Sequence, residues 1–194
     1  MQSSWRMIFG WFAQHHPDVC GEFRGPADEK DIEAVEQATG RSLPTDQLAW
    51  WRLCDGTERY GPVPLHVPVA WAPASTALAL DSHRSLTNDL ARYWPDLMEQ
   101  DSEPAGTSTD IPWLPSWLPI AHDLGGNYLF LDLREGPAHG CVGVQYNDDA
   151  FTGEPAWWSV ADMLADVADA LTNDTDINGW YAEAANGHIR WRSG

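Results

Sequence analysis

Apolar and polar positions between Trp117 and Asp132 follow the pattern of two short β-strands joined by a tight turn. An apolar run is followed by a Gly-Gly pair and then by a second run with period-two alternation. In the second run, Leu129, Leu131 and Leu133 point to one face, and Tyr128, Phe130 and Asp132 point to the other. Both faces are mostly apolar, which predicts a central strand covered on both sides. A carboxylate at Asp132 therefore needs a partner or a water-lined cleft.

Other segments have the apolar spacing of amphipathic helices. The first carries Trp5, Ile8, Trp11 and Phe12 after a cap at Ser3 or Ser4, the second lies between Asp28 and Gly40, and a short third is capped by Thr45. A further helical segment runs from Leu86 to Leu97 and is divided near Pro95. The last helix has Ser159 as its cap and Asp162 at the capping-box position. The last helix has the cleanest stripe, with Val160, Met163, Leu164, Val167 and Leu171 on one face.

The remaining segments predict strands, turns and a loop. Short edge strands are expected at Val63–Leu65 and Val69–Trp71, and Asn186-Gly187 predicts a hairpin near the end of the chain. The polar stretch 101–110 predicts a mobile insertion. Together the elements predict a single α+β domain. Its central, mostly antiparallel sheet is formed by Leu118–His122, Asn127–Leu133 and Cys141–Tyr146, with helices packed around it.

The composition limits the classes of partner. The 194 residues include 29 acids and 11 bases, for a formal charge of −18. This charge argues against direct binding to nucleic acid or to anionic membrane, and it favours a basic protein partner or simply a solvated acidic surface. Three widely spaced cysteines predict free thiols in a reducing cytoplasm, without a disulfide framework or a zinc site. Neither a signal peptide nor a membrane span is predicted.

Two surface features stand out against this background. From residue 135 to residue 189 the chain has no Lys or Arg but ten acids, and such a field speeds association with a basic partner. The alternative is a helix with an ordinary solvated face. The chain also has twelve tryptophans, including the neighbours Trp50-Trp51 and Trp157-Trp158. Both members of a pair can hardly face one core, and an exposed Trp is a favoured anchor in protein interfaces. The favoured interpretation is nevertheless a Trp-heavy core with partly covered edges.

Candidate catalytic and metal-binding sets are weak. Cys54 could act as a nucleophile with His122 and Asp132, but its place at the end of an apolar helix favours a buried structural thiol. His122, Asp123 and Asp132 could bind a metal, and so could the acidic turn at 147–149, although that turn lacks calcium-loop spacing. We therefore expect a protein that is not an enzyme and that has no metal and no cofactor.

Three stretches, taken in order, resemble the SUKH superfamily of Smi/Knr-like domains. They are IEAVEQATGRSLPTDQLAWWRLCDG, WLPIAHDLGGNYLFLDL and WWSVADMLADVADAL. The resemblance covers residues 28–172, which leaves an N-terminal helical extension at 1–27 and a tail at 173–194. It implies the SUKH fold, in agreement with the α+β prediction.

The resemblance also implies functions. Bacterial SUKH proteins are commonly immunity proteins that neutralise a toxin domain, often a nuclease, and fungal relatives are regulatory interaction modules in cell-wall synthesis. One Lys against ten Arg indicates a GC-rich bacterial source, so the first hypothesis is an immunity-type protein. The alternatives are a regulator or scaffold, and a sugar-binding protein or enzyme that uses His122, Asp123 and Asp132.

The predicted partner-binding residues come from two sources. The resemblance places Asp55, Asp123, Asn127 and Asp132 at motif positions near a presumed cleft. The charge argument adds Asp148, Asp149 and Trp158. The helix at the N-terminus, the insertion at 101–110 and the tail lie outside the motif and could form a further partner surface.

Overall fold

The architecture is known from a computed structural model that describes residues 1–57, 71–88, 90–123, 125–146, 151–185 and 188–193. The helices of the described part are α1 (Gln2–His15), α2 (Pro17–Cys20), α3 (Glu29–Thr39), α4 (Thr45–Trp51), α5 (Thr76–Thr87), α6 (Leu90–Tyr93), α7 (Leu97–Ser102) and α8 (Val160–Asn173). Its strands are β1 (Ala72–Pro73), β2 (Trp117–His122), β3 (Tyr128–Asp132), β4 (Val142–Gln145), β5 (Asp176–Ile177), β6 (Trp180–Ala185) and β7 (His188–Ser193).

The strands form two antiparallel sheets. The main sheet has the order β1-β2-β3-β4, and a smaller sheet has the order β5-β6-β7. The predicted α+β class and its antiparallel central sheet are thus confirmed, with β3 between β2 and β4. The predicted strand Val63–Leu65 lies outside the described residues, as does most of Val69–Trp71. In the described part, no helix has both the length and the apolar character needed to cross a membrane.

Apolar clusters cover both faces of the main sheet, as the pattern of β3 predicts. Leu129 and Leu131 belong to the larger cluster, which α1, α3, α4, α5 and α8 complete. Phe130 faces the other way, into a second group that we call the aromatic cluster: Leu97, Ile111, Trp113, Leu114, Trp117, Phe130 and Phe151. The Phe130 ring stacks on Trp117 with a centroid distance of 4.0 Å. It also lies over Gly143, where an added Cβ would be 2.3 Å from its Cζ atom.

The helix boundaries confirm some predicted caps and correct others. Ser3 and Ser4 lie inside α1, whose N-cap is Met1, and Thr45 is the first residue of α4, after the N-cap Pro44. Asp28 occupies the N-cap of α3 without a side-chain hydrogen bond. These corrections are small because cap propensity locates a helix start only to within a residue or two.

Ser159 is the predicted cap that the structure confirms. Its Oγ accepts a hydrogen bond from the backbone N–H of Asp162 at 3.0 Å and donates to that residue's carboxylate at 2.8 Å. All five predicted stripe residues of α8 are buried.

Replacing Ser159 by alanine is expected to lower the free energy of unfolding by about 1 kcal/mol, because the first turn of α8 loses its acceptor. Ser3→Ala is the matched control, since Ser3 lies within α1 and alanine favours a helix interior. Urea denaturation measures both variants. Equal effects of the two substitutions would contradict the assigned cap.

The region from 76 to 102 differs most from the predicted pattern. The prediction placed the helix in its second part, whereas the longest helix is α5, which Ser75 caps by accepting from Leu78 N at 3.1 Å. Pro95 does divide the segment, since α6 ends before it and α7 begins after it. A proline cannot donate to the preceding turn, so one continuous helix is excluded.

The tryptophan pairs behave differently from each other. Trp50 and Trp51 are both buried, so the expectation that one of them is exposed was wrong. Trp50 packs edge-on against Trp5 of α1, while Trp51 donates to the carbonyl of Ala74 at 3.3 Å. The short helix α4 therefore has core on two sides, which its sequence alone does not reveal.

The tail forms the predicted hairpin. Strands β6 and β7 pair from Trp180↔Ser193 to Ala185↔His188, and the Asn186-Gly187 pair between them lies outside the described part. Trp191 packs against the larger apolar cluster. The tail is thus joined to the main core.

Candidate functional site

The carboxylate of Asp132 has a buried partner that the sequence pattern did not identify. Both Asp132 and Arg134 are fully buried, with 2.7 Å between Oδ2 and the Arg134 Nη2 atom. The Arg134 Nε atom also donates to Oδ1 at 3.0 Å. Asp132 therefore has its charge compensated inside the fold, and the presumed cleft beside it is filled by the guanidinium group.

The same guanidinium group fastens a distant segment to β3. Its Nη1 donates to the carbonyl of Gln100 at 3.2 Å, and its Nη2 donates to the carbonyl of Thr107 at 2.9 Å. Asp132 Oδ2 accepts from the backbone N–H of Gly106 at 2.9 Å. We call this group of contacts the Asp132–Arg134 clamp. It gives the pair a positioning role.

The clamp bears directly on the segment 101–110, for which a mobile insertion was predicted. Asp101 is buried and accepts from the N–H and the hydroxyl of Ser116 at 2.9 and 2.8 Å. Ala105 N donates to the carbonyl of Glu135 at 2.8 Å. Mobility itself stays a prediction, and these contacts argue against it. They link residues far apart in the chain, so local composition carries no trace of them.

Asp55, which the resemblance also selected, is a structural residue. It is buried, its Oδ1 accepts from Thr76 N at 2.7 Å, and its Oδ2 accepts from Arg24 Nε at 3.2 Å. Its own N–H donates to the carbonyl of Gly25. Asp55 thus joins the start of α5 to the segment before α3, and its carboxylate has little surface left for a partner.

Asp123 and Asn127 organise the turn between β2 and β3. Asp123 Oδ1 accepts from the backbone N–H groups of Gly125 and Asn127 at 2.7 and 3.1 Å. Asp123 Oδ2 accepts from the Asn127 side-chain amide. Both side chains are half-buried. Their hydrogen bonds explain the Asp-x-Gly-x-Asn spacing as turn chemistry.

The two constellations that include His122 and Asp132 are not assembled. His122 pairs with Tyr128 at one end of β3, whereas Asp132 pairs with Trp117 at the other, a separation of about 13 Å along the strand. Burial raises the pKa of the Cys54 thiol to about 12, so Cys54 is protonated at neutral pH and is a poor nucleophile. Within the described residues, no group of three or more His, Cys, Asp or Glu side chains could hold a metal ion.

An acidic surface follows the outer face of α8. We call it the acidic ridge and define it by five exposed carboxylates: Asp162, Asp166, Asp169, Asp174 and Asp176. None of them forms a salt bridge with another described residue. The amide of Asn173 and the hydroxyl of Thr175 donate to Asp169 and lower its pKa below the ordinary value. Asp169 is therefore held in its charged form.

Trp158 stands at the start of this ridge. Its neighbour Trp157 is buried and donates from Nε1 to Asp166 Oδ2 at 2.9 Å, which holds that ring against α8. Trp158 is 70% exposed. The expectation for this pair, one ring inside and one outside, agrees with the structure. Asp148 and Asp149, the other two residues chosen by charge, lie outside the described part of the chain.

The chain is similar to a known protein family and to proteins of fungi. The model of the SMI1 / KNR4 family (SUKH-1) matches residues 26–166. The cell wall assembly regulator SMI1 of Saccharomyces cerevisiae is 22% identical over 92% of this chain, and the glucan synthesis regulatory protein of Neurospora crassa is 23% identical over 98%. The cell wall biosynthesis/cell cycle regulator smi1 of Schizosaccharomyces pombe is 24% identical over 98%. The matches cover 41%, 41% and 39% of these relatives, so the chain spans about two fifths of their length.

Proposed function

We propose that this chain, which belongs to the SMI1 / KNR4 family (SUKH-1), is a regulatory protein-binding module. Its docking surface in this proposal is the acidic ridge together with Trp158. The partner is a protein segment that carries Lys or Arg side chains. This is the regulatory alternative of the sequence analysis, joined to the surface that the charge pattern predicted.

The observation that carries the proposal is the exposure of Trp158 beside uncompensated carboxylates. An exposed indole loses unfavourable contact with water when a partner covers it, and Trp is enriched among the residues that dominate binding energy. The carboxylates add long-range attraction, which raises the association rate of a basic partner and weakens with salt. The two features supply an anchor just before α8 and a steering field along α8 and the residues that follow it.

The relatives support regulation over toxin neutralisation. All three are described as regulators, of cell wall assembly, of glucan synthesis, or of cell wall biosynthesis and the cell cycle. The immunity hypothesis remains the second candidate because a net charge of −18 suits an inhibitor that covers a cationic active site. A bacterial source and a cytoplasmic location stay predictions, as does the absence of enzymatic activity.

Neutralising three ridge carboxylates is expected to slow association with the captured partner about tenfold at low salt. The variant is Asp166→Asn, Asp169→Asn and Asp174→Asn, which keeps side-chain size and one acceptor oxygen and replaces the other oxygen with an amide donor. The matched control is Asp31→Asn, Glu99→Gln and Glu103→Gln, which removes the same charge from exposed positions outside the ridge. Association rates measured by surface plasmon resonance at two salt concentrations separate a local effect from a global one.

The partner is first captured at low salt on the tagged wild-type protein and identified by mass spectrometry. A basic cell-wall or signalling protein whose association slows only in the ridge variant supports the proposal. If association slows equally in the control variant, the ridge acts only through the net charge of the protein, which contradicts a local docking surface. A basic toxin whose activity stops at equal stoichiometry would establish the second candidate instead.

A further inference from the structure

A shallow cavity of about 510 Å³, widely open to solvent, lies beside the aromatic cluster and has none of the acidic ridge residues in its lining. Three segments contribute to it: the second half of α7, the loop that follows, and the stretch before α8. Its lining consists of Gln100, Ser108, Thr109, Asp110, Phe151 and Thr152. The volume falls within the range of small-molecule sites, about 300 to 1,000 Å³.

Backbone contacts support the segments that line this cavity. The Asp132–Arg134 clamp fixes the carbonyls of Gln100 and Thr107. Across the opening, Thr109 N donates to the carbonyl of Phe151 at 3.0 Å. A Cβ added at Gly153, which has φ +86°, would lie 2.6 Å from Ser108 N. The two loops therefore touch through their backbones.

The lining has a definite chemical character. Gln100 bonds to both the Thr109 hydroxyl and the Asp110 carboxylate, so these three side chains form one network. The hydroxyls of Ser108 and Thr152 have no hydrogen-bond partner among the described residues and are exposed. The lining includes no Lys, Arg or His side chain. It offers acceptors and hydroxyls, which can both donate and accept, whereas Phe151 is buried in the aromatic cluster and is only 4% exposed.

We infer that this cavity binds a small neutral polyhydroxylated molecule of one or two sugar rings. Ligand hydroxyls would donate hydrogen bonds to the Asp110 carboxylate, which can only accept. They would both donate to and accept from the hydroxyls of Ser108 and Thr152. Phosphates and carboxylates are disfavoured because the lining supplies a negative charge and no positive one. This site is independent of the proposed docking surface, and either can fail without the other.

The test is a titration of the full ¹⁵N-labelled chain with methyl glycosides of glucose, mannose and galactose, followed by NMR. Choline chloride and inorganic phosphate are the charged comparison probes. We expect saturable shifts in the amides of residues 106–110 and 151–153 and in the indole N–H of Trp117, which packs on Phe151 at 5.5 Å. A roughly millimolar dissociation constant is expected for a site of this size and polarity.

Two variants and a control decide the location. Ser108→Trp fills the cavity and should abolish the shifts, whereas Ser85→Trp places the same ring on the exposed side of α5 and should leave them unchanged. Asp110→Asn removes the charged acceptor and should weaken binding about tenfold. Saturable binding that survives in Ser108→Trp overturns the site. No saturable shift up to about 50 mM of any glycoside, or a stronger response to choline or phosphate, overturns the ligand class.

Discussion

Replacing Arg134 by methionine is expected to lower the free energy of unfolding by about 3 to 5 kcal/mol, because the variant leaves a fully buried carboxylate without its cation. Methionine keeps much of the apolar volume, so the loss is chiefly electrostatic and hydrogen-bonding in origin. The carbonyls of Gln100 and Thr107 also lose their donor. Urea denaturation followed by circular dichroism measures the change.

Arg192→Met is the matched control. Arg192 and Glu183 form an exposed ion pair at 3.8 Å, with 60% and 54% of their side chains accessible, and such pairs contribute about 0 to 1 kcal/mol. The double variant Asp132→Leu, Arg134→Met should recover part of the loss, since it removes the uncompensated charge. An Arg134→Met variant no less stable than Arg192→Met would contradict the clamp.

Replacing Gly56 by alanine is expected to cost about 3 kcal/mol or more, from left-handed backbone strain and a steric clash together. Gly56 has φ +67°, and an added Cβ would lie 2.4 Å from both the carbonyl carbon of Ala74 and the amide nitrogen of Ser75. These are backbone atoms, which cannot rotate aside. The start of α5 would have to move away from the loop that follows α4.

Gly40→Ala isolates the strain from the clash. Gly40 ends α3 with φ +64°, but nothing lies within 4 Å of its added Cβ, so it should cost only about 1 to 2 kcal/mol. Thermal denaturation of both variants gives the difference. Equal melting temperatures would show that the chain relaxes around position 56, and would contradict the close approach to Ala74.

Local patterns predicted the centre of the fold because period-two alternation and helical stripes depend on neighbours in sequence. The burial of Leu129, Phe130 and Leu131 follows from such a pattern. The burial of both Trp50 and Trp51 does not, because it depends on which elements flank α4 in space. The strand pattern predicted that the Asp132 carboxylate needs a partner, but it did not identify Arg134 as that partner.

A signal for that partner was present. Arg134 is the only Lys or Arg from residue 93 to residue 189, and it follows Asp132 by two positions, on the same side of an extended chain. Asp123 shows a second local signal, and partner binding by it stays a prediction. Its spacing to Gly125 and Asn127 is that of an Asx turn, yet the family resemblance alone selected it as a partner-binding residue. Its hydrogen bonds within the turn account for that spacing.

Both charges of the clamp lie two positions apart in the sequence, so they do not depend on the side chains of the segment that they hold. The segment they hold is gripped mainly through its main chain, at the carbonyls of Gln100 and Thr107 and the N–H of Gly106. Those groups are present whatever side chains a mutation introduces there. A lineage can therefore change the exposed side chains of residues 102–110 while it keeps the anchor. Two positions are constrained: Thr107, whose hydroxyl Arg134 also contacts, and Gly106, which has φ +78° and an added Cβ only 3.0 Å from Ala138 Cβ.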